Sequence, residues 1–256
     1  MFTSCGFQSN LQAQGSLARV VTVDSESATN SRTLHTLNVS NHIKNLYTMI
    51  KLEKILGVTV LISLIFKFAL IPGGSFLLVL SLFILSCLYY PLGFALLNQI
   101  AFTKILKKDS YKGLTAFKII GSIGAGMAFS VVCLGILFKV QHWAGANTYL
   151  ITGLVSILIV LAIALVKYYK AKQEFYIGIL KRITIIGALG LVFSFISELT
   201  IVKIQFRNHP NYVKAYEMYL DNPQNEELRQ NLHIEDLRTK MSEQEVELYL
   251  KWEEKK

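Results

Sequence analysis

Five side chains stand out as able to do chemistry in a chain short of charge: Lys67, Lys139, His142, Trp143 and Glu198. Glu198 is an acidic residue deep in an apolar stretch. Moving a carboxylate into hydrocarbon costs roughly 2.5–3.5 kcal/mol on insertion scales. The group is therefore expected to be protonated, paired or turned toward a water-filled seam. Three readings stand open: a structural pair with Lys67 or Lys139, an ion or proton site, or a position at the membrane interface. Lys203, five positions on, is off the favoured i+4 spacing. Lys139, His142 and Trp143 sit close together in sequence. They supply a cation suited to the negative pole of a helix, an imidazole that titrates near neutral pH and an indole suited to a headgroup layer. They read as anchoring and turn chemistry, or as an outward-facing contact or proton uptake point.

Other catalytic constellations are not apparent. The three cysteines, Cys5, Cys87 and Cys133, are odd in number and widely spaced, which argues for free thiols over a disulfide framework or a metal site. His209 and His233 have no ligand-like neighbours. Gly121-Ser122-Ile123-Gly124-Ala125-Gly126 resembles a phosphate loop only superficially, because no Lys-Ser/Thr follows. Its small residues at four-residue spacing, Gly121 with Ala125 and Ser122 with Gly126, suit close helix approach instead. No enzyme, cofactor or metal is expected.

The elements that must position these residues are apolar blocks. The chain is 52% hydrophobic and 17% charged, against about a quarter charged in ordinary soluble domains. A span needs about 20 mostly apolar residues. Five blocks qualify: about Leu52 to Ile71, Ser75 to Leu97, Phe117 to Phe138, Ala146 to Val166 and Ile183 to Ile204. The fold class is thus all-α, a polytopic transmembrane bundle of about five spans with a short soluble helical C-terminal tail. The net charge of +9 fits anionic lipid better than nucleic acid. The cations flank the blocks: Lys51 and Lys54, then Lys104, Lys107, Lys108 and Lys112, then Lys167, Lys170, Lys172, Lys181 and Arg182. Alternation of five helices puts all three groups on one side, the cytoplasmic one by the positive-inside rule. The chain is then expected in the inner (cytoplasmic) membrane, with the amino terminus cytoplasmic and the tail periplasmic.

Two segments align 72 residues apart. Ile65-Phe66-Lys67-Phe68-Ala69-Leu70-Ile71-Pro72-Gly73-Gly74-Ser75 and Leu137-Phe138-Lys139-Val140-Gln141-His142-Trp143-Ala144-Gly145-Ala146-Asn147 each run from a helix through Phe-Lys and a tight small-residue turn into another helix. A fixed period marks a repeated unit, here a hairpin at 52–97 and again at 119–166. The second segment resembles the first transmembrane hairpin of the Bacteroidetes gliding-motility GldL family, in which a helix ends in Phe-Lys, two residues, then His-Trp-Pro-Gly-Ala. Phe138, Lys139, His142, Trp143, Gly145 and Ala146 correspond; Ala144 stands where the family has Pro, and the first copy has Leu70-Ile71 in place of His-Trp. The resemblance implies an inner-membrane hairpin with its turn in the periplasm. Family members form a proton-driven motor with a partner and use an acidic residue within the membrane. Neither Ala146 to Val166 nor Ser75 to Leu97 contains one, so the motor activity is not carried over.

Residues 1–48 are polar, rich in Ser, Thr and Asn, and expected to be disordered. Met49 is an equally good candidate for the biological start. Residues 49–204 form the membrane domain and 205–256 the tail, with helices expected at Tyr212 to Leu220, Glu226 to Leu237, and from the capping box Ser242-Glu243-Gln244-Glu245 through Trp252. The leading functional expectation is a GldL-like, non-enzymatic subunit or scaffold. It would contact the lipid bilayer and other membrane or periplasmic proteins. The alternative is a small transporter or ion-conducting component using Glu198.

Overall fold

The computed structural model describes residues 47–101 and 104–253, and residues 1–46 lie outside it. The described residues are helical and turn-linked, with no strand among them. The helices are α1 (residues 47–68), α2 (Gly74–Leu97), α3 (Ala116–Val140), α4 (Ala146–Ala171), α5 (Glu174–Arg182), α6 (Ala188–Phe195), α7 (Glu198–Gln205), α8 (Pro210–Asp221), α9 (Glu226–Arg238) and α10 (Glu243–Glu253). A π turn at Ile183–Gly187 joins α5 to α6, making one rod from Glu174 to Phe195.

The chain divides into two units. One comprises Met1–Lys51 with Gln99–Lys112, the other Leu52–Asn98 with Gly113–Lys256. Within the first, residues 104–112 make local bonds. Tyr111 donates to the Ile105 carbonyl at 2.5 Å, and Lys112 pairs with Asp109 at 2.7 Å. The helix packing and the polar clusters described below lie in the second unit.

Four helical segments are long and apolar enough to cross a membrane: Gly74–Leu97, Ala116–Val140, Ala146–Lys170 and Glu174–Phe195. The chain is a multi-pass membrane protein. Its surface agrees, since α4 turns Ile151, Val155, Leu158 and Ile159 outward. Such rows are unfavourable in water and ordinary against lipid.

The central helix is α3, flanked by α2 and α4, with α5 and α6 packed against this trio. Close approach depends on small residues. A Cβ on Gly93 would lie 2.7 Å from the Gly126 Cα, and one on Gly153 would lie 2.6 Å from a Val132 methyl. The contact face of α3 is Ser122, Ala125, Gly126 and Phe129, all buried; Gly121, by contrast, has open space where a Cβ would go. Lipid supplies no hydrophobic force between helices, so such backbone contact is how they associate. Buried Ser86 and Ser130 add a hydroxyl–hydroxyl bond of 2.7 Å between α2 and α3.

The expected fifth helix, Ile183 to Ile204, is corrected. The rod starts nine residues earlier, at Glu174, and stops at Phe195. Ile196 is extended (ψ 124°), and Ser197 caps a new helix by accepting from the Thr200 N–H at 3.1 Å. The early start is possible because Arg182, counted from sequence as a loop cation, is neutralised inside the fold.

Candidate functional site

Two polar clusters stand at opposite ends of the helices. At the first, Arg182 forks onto Glu53 with Nε to Oε1 at 2.6 Å and Nη2 to Oε2 at 2.5 Å. Tyr89 donates its hydroxyl to Glu53 Oε1 at 2.7 Å, and Arg182 Nη1 reaches the Gly178 carbonyl at 3.1 Å. The Arg182 and Glu53 side chains are 19% and 12% exposed. A planar guanidinium facing a carboxylate in two parallel bonds is the strong form of ion pair. It ties α1, α2 and α5 together immediately before the π turn. Sequence reasoning missed it, having counted Arg182 as a flanking cation and given Glu53 no role. The available signal was a carboxylate about two turns into a largely apolar helix, which needs a partner.

The second cluster is built on the two turns that follow α1 and α3. Leu70 and His142 take positive φ of 60° and 56°, and Gly73 and Gly145 take 83° and 84°. Ile71 N–H donates to the Phe66 carbonyl at 2.9 Å, and Trp143 N–H donates to the Phe138 carbonyl at 2.9 Å. Lys67 Nζ donates to Ser75 Oγ at 2.8 Å, and Lys139 Nζ to Asn147 Oδ1 at 2.5 Å. Each lysine closes its turn by reaching eight residues on, to the polar residue that opens the return helix. Glycine suits the left-handed position because it has no Cβ to clash.

At the second turn the network continues into the tail. Asn147 Nδ2 donates to Glu198 Oε1 at 3.3 Å, and the Tyr216 hydroxyl reaches Glu198 Oε2 at 3.5 Å. Glu198 therefore lies beyond the last of the four apolar segments, which ends at Phe195. It lies half-buried in the first turn of α7, where the helix dipole favours a carboxylate. Neither Lys67 nor Lys139 pairs with it directly among the described residues; Asn147 mediates for Lys139. Lys203 turns to Glu217 at 3.3 Å. Lys139 is 3% exposed, so its ammonium depends on that amide.

His142 is held from the tail as well. Buried Gln205 donates Nε2 to the Val140 carbonyl at 3.1 Å, which leaves Oε1 facing His142 Nε2 at 3.2 Å. An amide oxygen only accepts, so Nε2 carries the proton and Nδ1 is the lone-pair nitrogen of the neutral ring. That Nδ1 is buried with no partner among the described residues. Burial lowers the His142 pKa below its ordinary value. The Gln205 bond opposes this, Lys67 adds to it, Glu198 opposes it and Lys139 adds to it. Tyr216 is pushed up, first by burial and next by the Glu198 charge. Trp143 stands 49% exposed with its ring edge-on to Phe138 at 5.2 Å, so it touches the turn and not the polar chain. Arg207 Nη1 donates to the Phe68 carbonyl at 3.0 Å, bringing the first turn to the same joint. Beneath these contacts Val202, Tyr212 and Tyr216 form a small apolar core with Phe206 and Leu232 against them.

The arrangement can fix the tail to the two turns. No metal-ligating group of three or more His, Cys, Asp or Glu occurs among the described residues. The GldL N-terminal domain family model matches residues 120–174, which is α3, the His-Trp turn and α4. No curated protein and no solved structure matches the chain. The chain is thus GldL-like over that hairpin. Asn147, Gln205 and Tyr216 were not singled out from sequence. The first could have been, since Ser75 and Asn147 both stand eight residues after the repeated lysine.

Proposed function

We propose that this GldL-like protein is a non-enzymatic subunit of an inner-membrane complex. Its hairpins span the bilayer, and the joint at Lys139, Asn147, Glu198 and Tyr216 fixes the tail to them for a membrane or periplasmic partner. The observation that carries this reading is the continuous polar chain from a buried lysine at the hairpin turn to the tail's own aromatic core. A rigid coupling of this kind suits a scaffold, whereas conduction needs a wet path past the carboxylate. The matching geometry of the two turns supports a repeated hairpin. The amino terminus is assigned to the cytoplasm and the tail to the periplasm, because Lys54, Lys118, Lys167, Lys170 and Lys172 lie at the helix ends away from the joint.

Replacing Asn147 with Leu tests the joint. The buried Lys139 ammonium then loses its acceptor, worth about 1–3 kcal/mol. Protease should clip the tail of N147L in detergent at least several-fold faster than in wild type, while the helices stay folded by circular dichroism. Equal clipping rates would refute the coupling. Ion conduction through Glu198 is the competing reading, favoured by its half-burial beside Lys139. It requires proteoliposomes of the wild-type chain to pass protons, and Glu198→Gln to stop them with assembly intact. We expect no flux above empty liposomes from either.

A further inference from the structure

We propose that the groove between α3, α4 and the start of α5 is a binding site for one anionic phospholipid. The groove is apolar, lined by Phe117, Gly121, Ile163 and Phe175 among others, with Lys118 at its mouth. Gly121 forms open floor, with no atom within 4 Å of a notional Cβ. Two ammonium groups stand over the aromatic rings of this wall. Lys167 Nζ lies 4.5 Å from the Phe117 centroid, and Lys118 Nζ lies 5.6 Å from the Phe175 centroid. Neither ammonium has an acidic partner within ion-pair distance among the described residues. The first turn of α3, which opens at Ala116, adds the positive pole of its dipole at the same level.

The occupant follows from this layering. Lys118 and Lys167 sit within a turn of the ends of two spans, where headgroups lie. Gly121 and Ile163 sit one turn deeper, where acyl chains lie. A groove with cations at headgroup depth and an apolar floor beneath matches a phospholipid bearing net negative charge. Basic pockets between transmembrane helices bind such headgroups. Free phosphate would leave the floor unfilled, and a zwitterionic lipid would leave the two cations without a net counter-charge.

The test is native mass spectrometry of the full chain in detergent with phosphatidylglycerol or phosphatidylcholine of identical chains. Wild type should retain one phosphatidylglycerol in preference to phosphatidylcholine. Lys118→Gln with Lys167→Gln should cut that preference by about fivefold for each lysine removed. Gly121→Leu, which fills the floor where there is room, should lower retention of the lipid while both lysines remain. Millimolar inorganic phosphate should not displace it. Equal retention of the two lipids by wild type would overturn the proposal, as would undiminished phosphatidylglycerol preference in both variants or displacement by phosphate. The wild-type comparison needs no variant to fold, and the outcome is independent of whether the tail is coupled to the hairpins.

Discussion

His142 is the group in the joint whose charge can change near neutral pH, and its surroundings set the sign of the effect. Its folded pKa is lowered, chiefly by burial, so the unfolded chain, titrating near 6.5, binds the proton more readily. Stability linked to this residue is fully present above about pH 6.5. It is lost as pH falls from there toward the folded value. Protonation also puts a charge beside Lys67 and Lys139, both of which oppose it. Thermal unfolding in detergent should therefore occur at lower temperature at pH 5 than at pH 7.5. His142→Gln, which keeps a donor for Gln205, should flatten the slope over that window. A slope unchanged in the variant would assign the acid sensitivity elsewhere. The residue itself was visible in the sequence through its match to the family's His-Trp turn. Its partner was not, because Gln205 is separated from it by 63 positions and ends an apolar run with no pattern of its own.

At the scale of elements, periodicity and caps locate most helices. Ser242 donates its backbone N–H to Glu245 Oε2 at 2.9 Å, the return half of a capping box, and its hydroxyl donates to the same oxygen at 2.8 Å. Asn225, which caps α9 through the N–H groups of Glu227 and Leu228, opens a helix where one was expected. The rod from Glu174 is where apolar counting misleads. Hydropathy treats Lys181 and Arg182 as an end, whereas a guanidinium with a fixed carboxylate can stay inside. Counting also runs through Ser197, though a serine followed by an acidic residue is an N-cap signal. The ion pair that permits the long rod makes its own prediction. Glu53→Leu alone strands the Arg182 charge and the Tyr89 hydroxyl, and should destabilise by about 3–5 kcal/mol. Glu53→Leu combined with Arg182→Leu should recover most of that loss, because two desolvated charges are removed together. A double variant as unstable as the sum of the singles would show that the pair is not coupled. The check is thermal or denaturant unfolding of Glu53→Leu, Arg182→Leu and the double variant in the same detergent.

For the whole molecule, the question is whether α1 crosses the bilayer with the other four. Its length argues that it does: residues 47–68 make a helix of about 33 Å, against a hydrocarbon core of about 30 Å. Its outward row of Ile55, Val58, Ile62 and Ile65 suits lipid. Its two ends are fastened at opposite ends of the bundle. Glu53 is clamped by Arg182 and Tyr89, while the Phe68 carbonyl takes Arg207 from the tail. We therefore predict a fifth crossing by α1, which would leave the tail on the side of the membrane opposite the amino-terminal end of α1. Single cysteines decide this in a background with Cys5, Cys87 and Cys133 replaced. Glu247→Cys, exposed on α10, should react with a membrane-impermeant maleimide in intact spheroplasts. Lys107→Cys, exposed in the Gln99–Lys112 loop, should react only after lysis. Both sites reacting under the same condition would mean an even number of crossings, with α1 lying along the surface. The positive-inside reading would then have to be rebuilt around four spans.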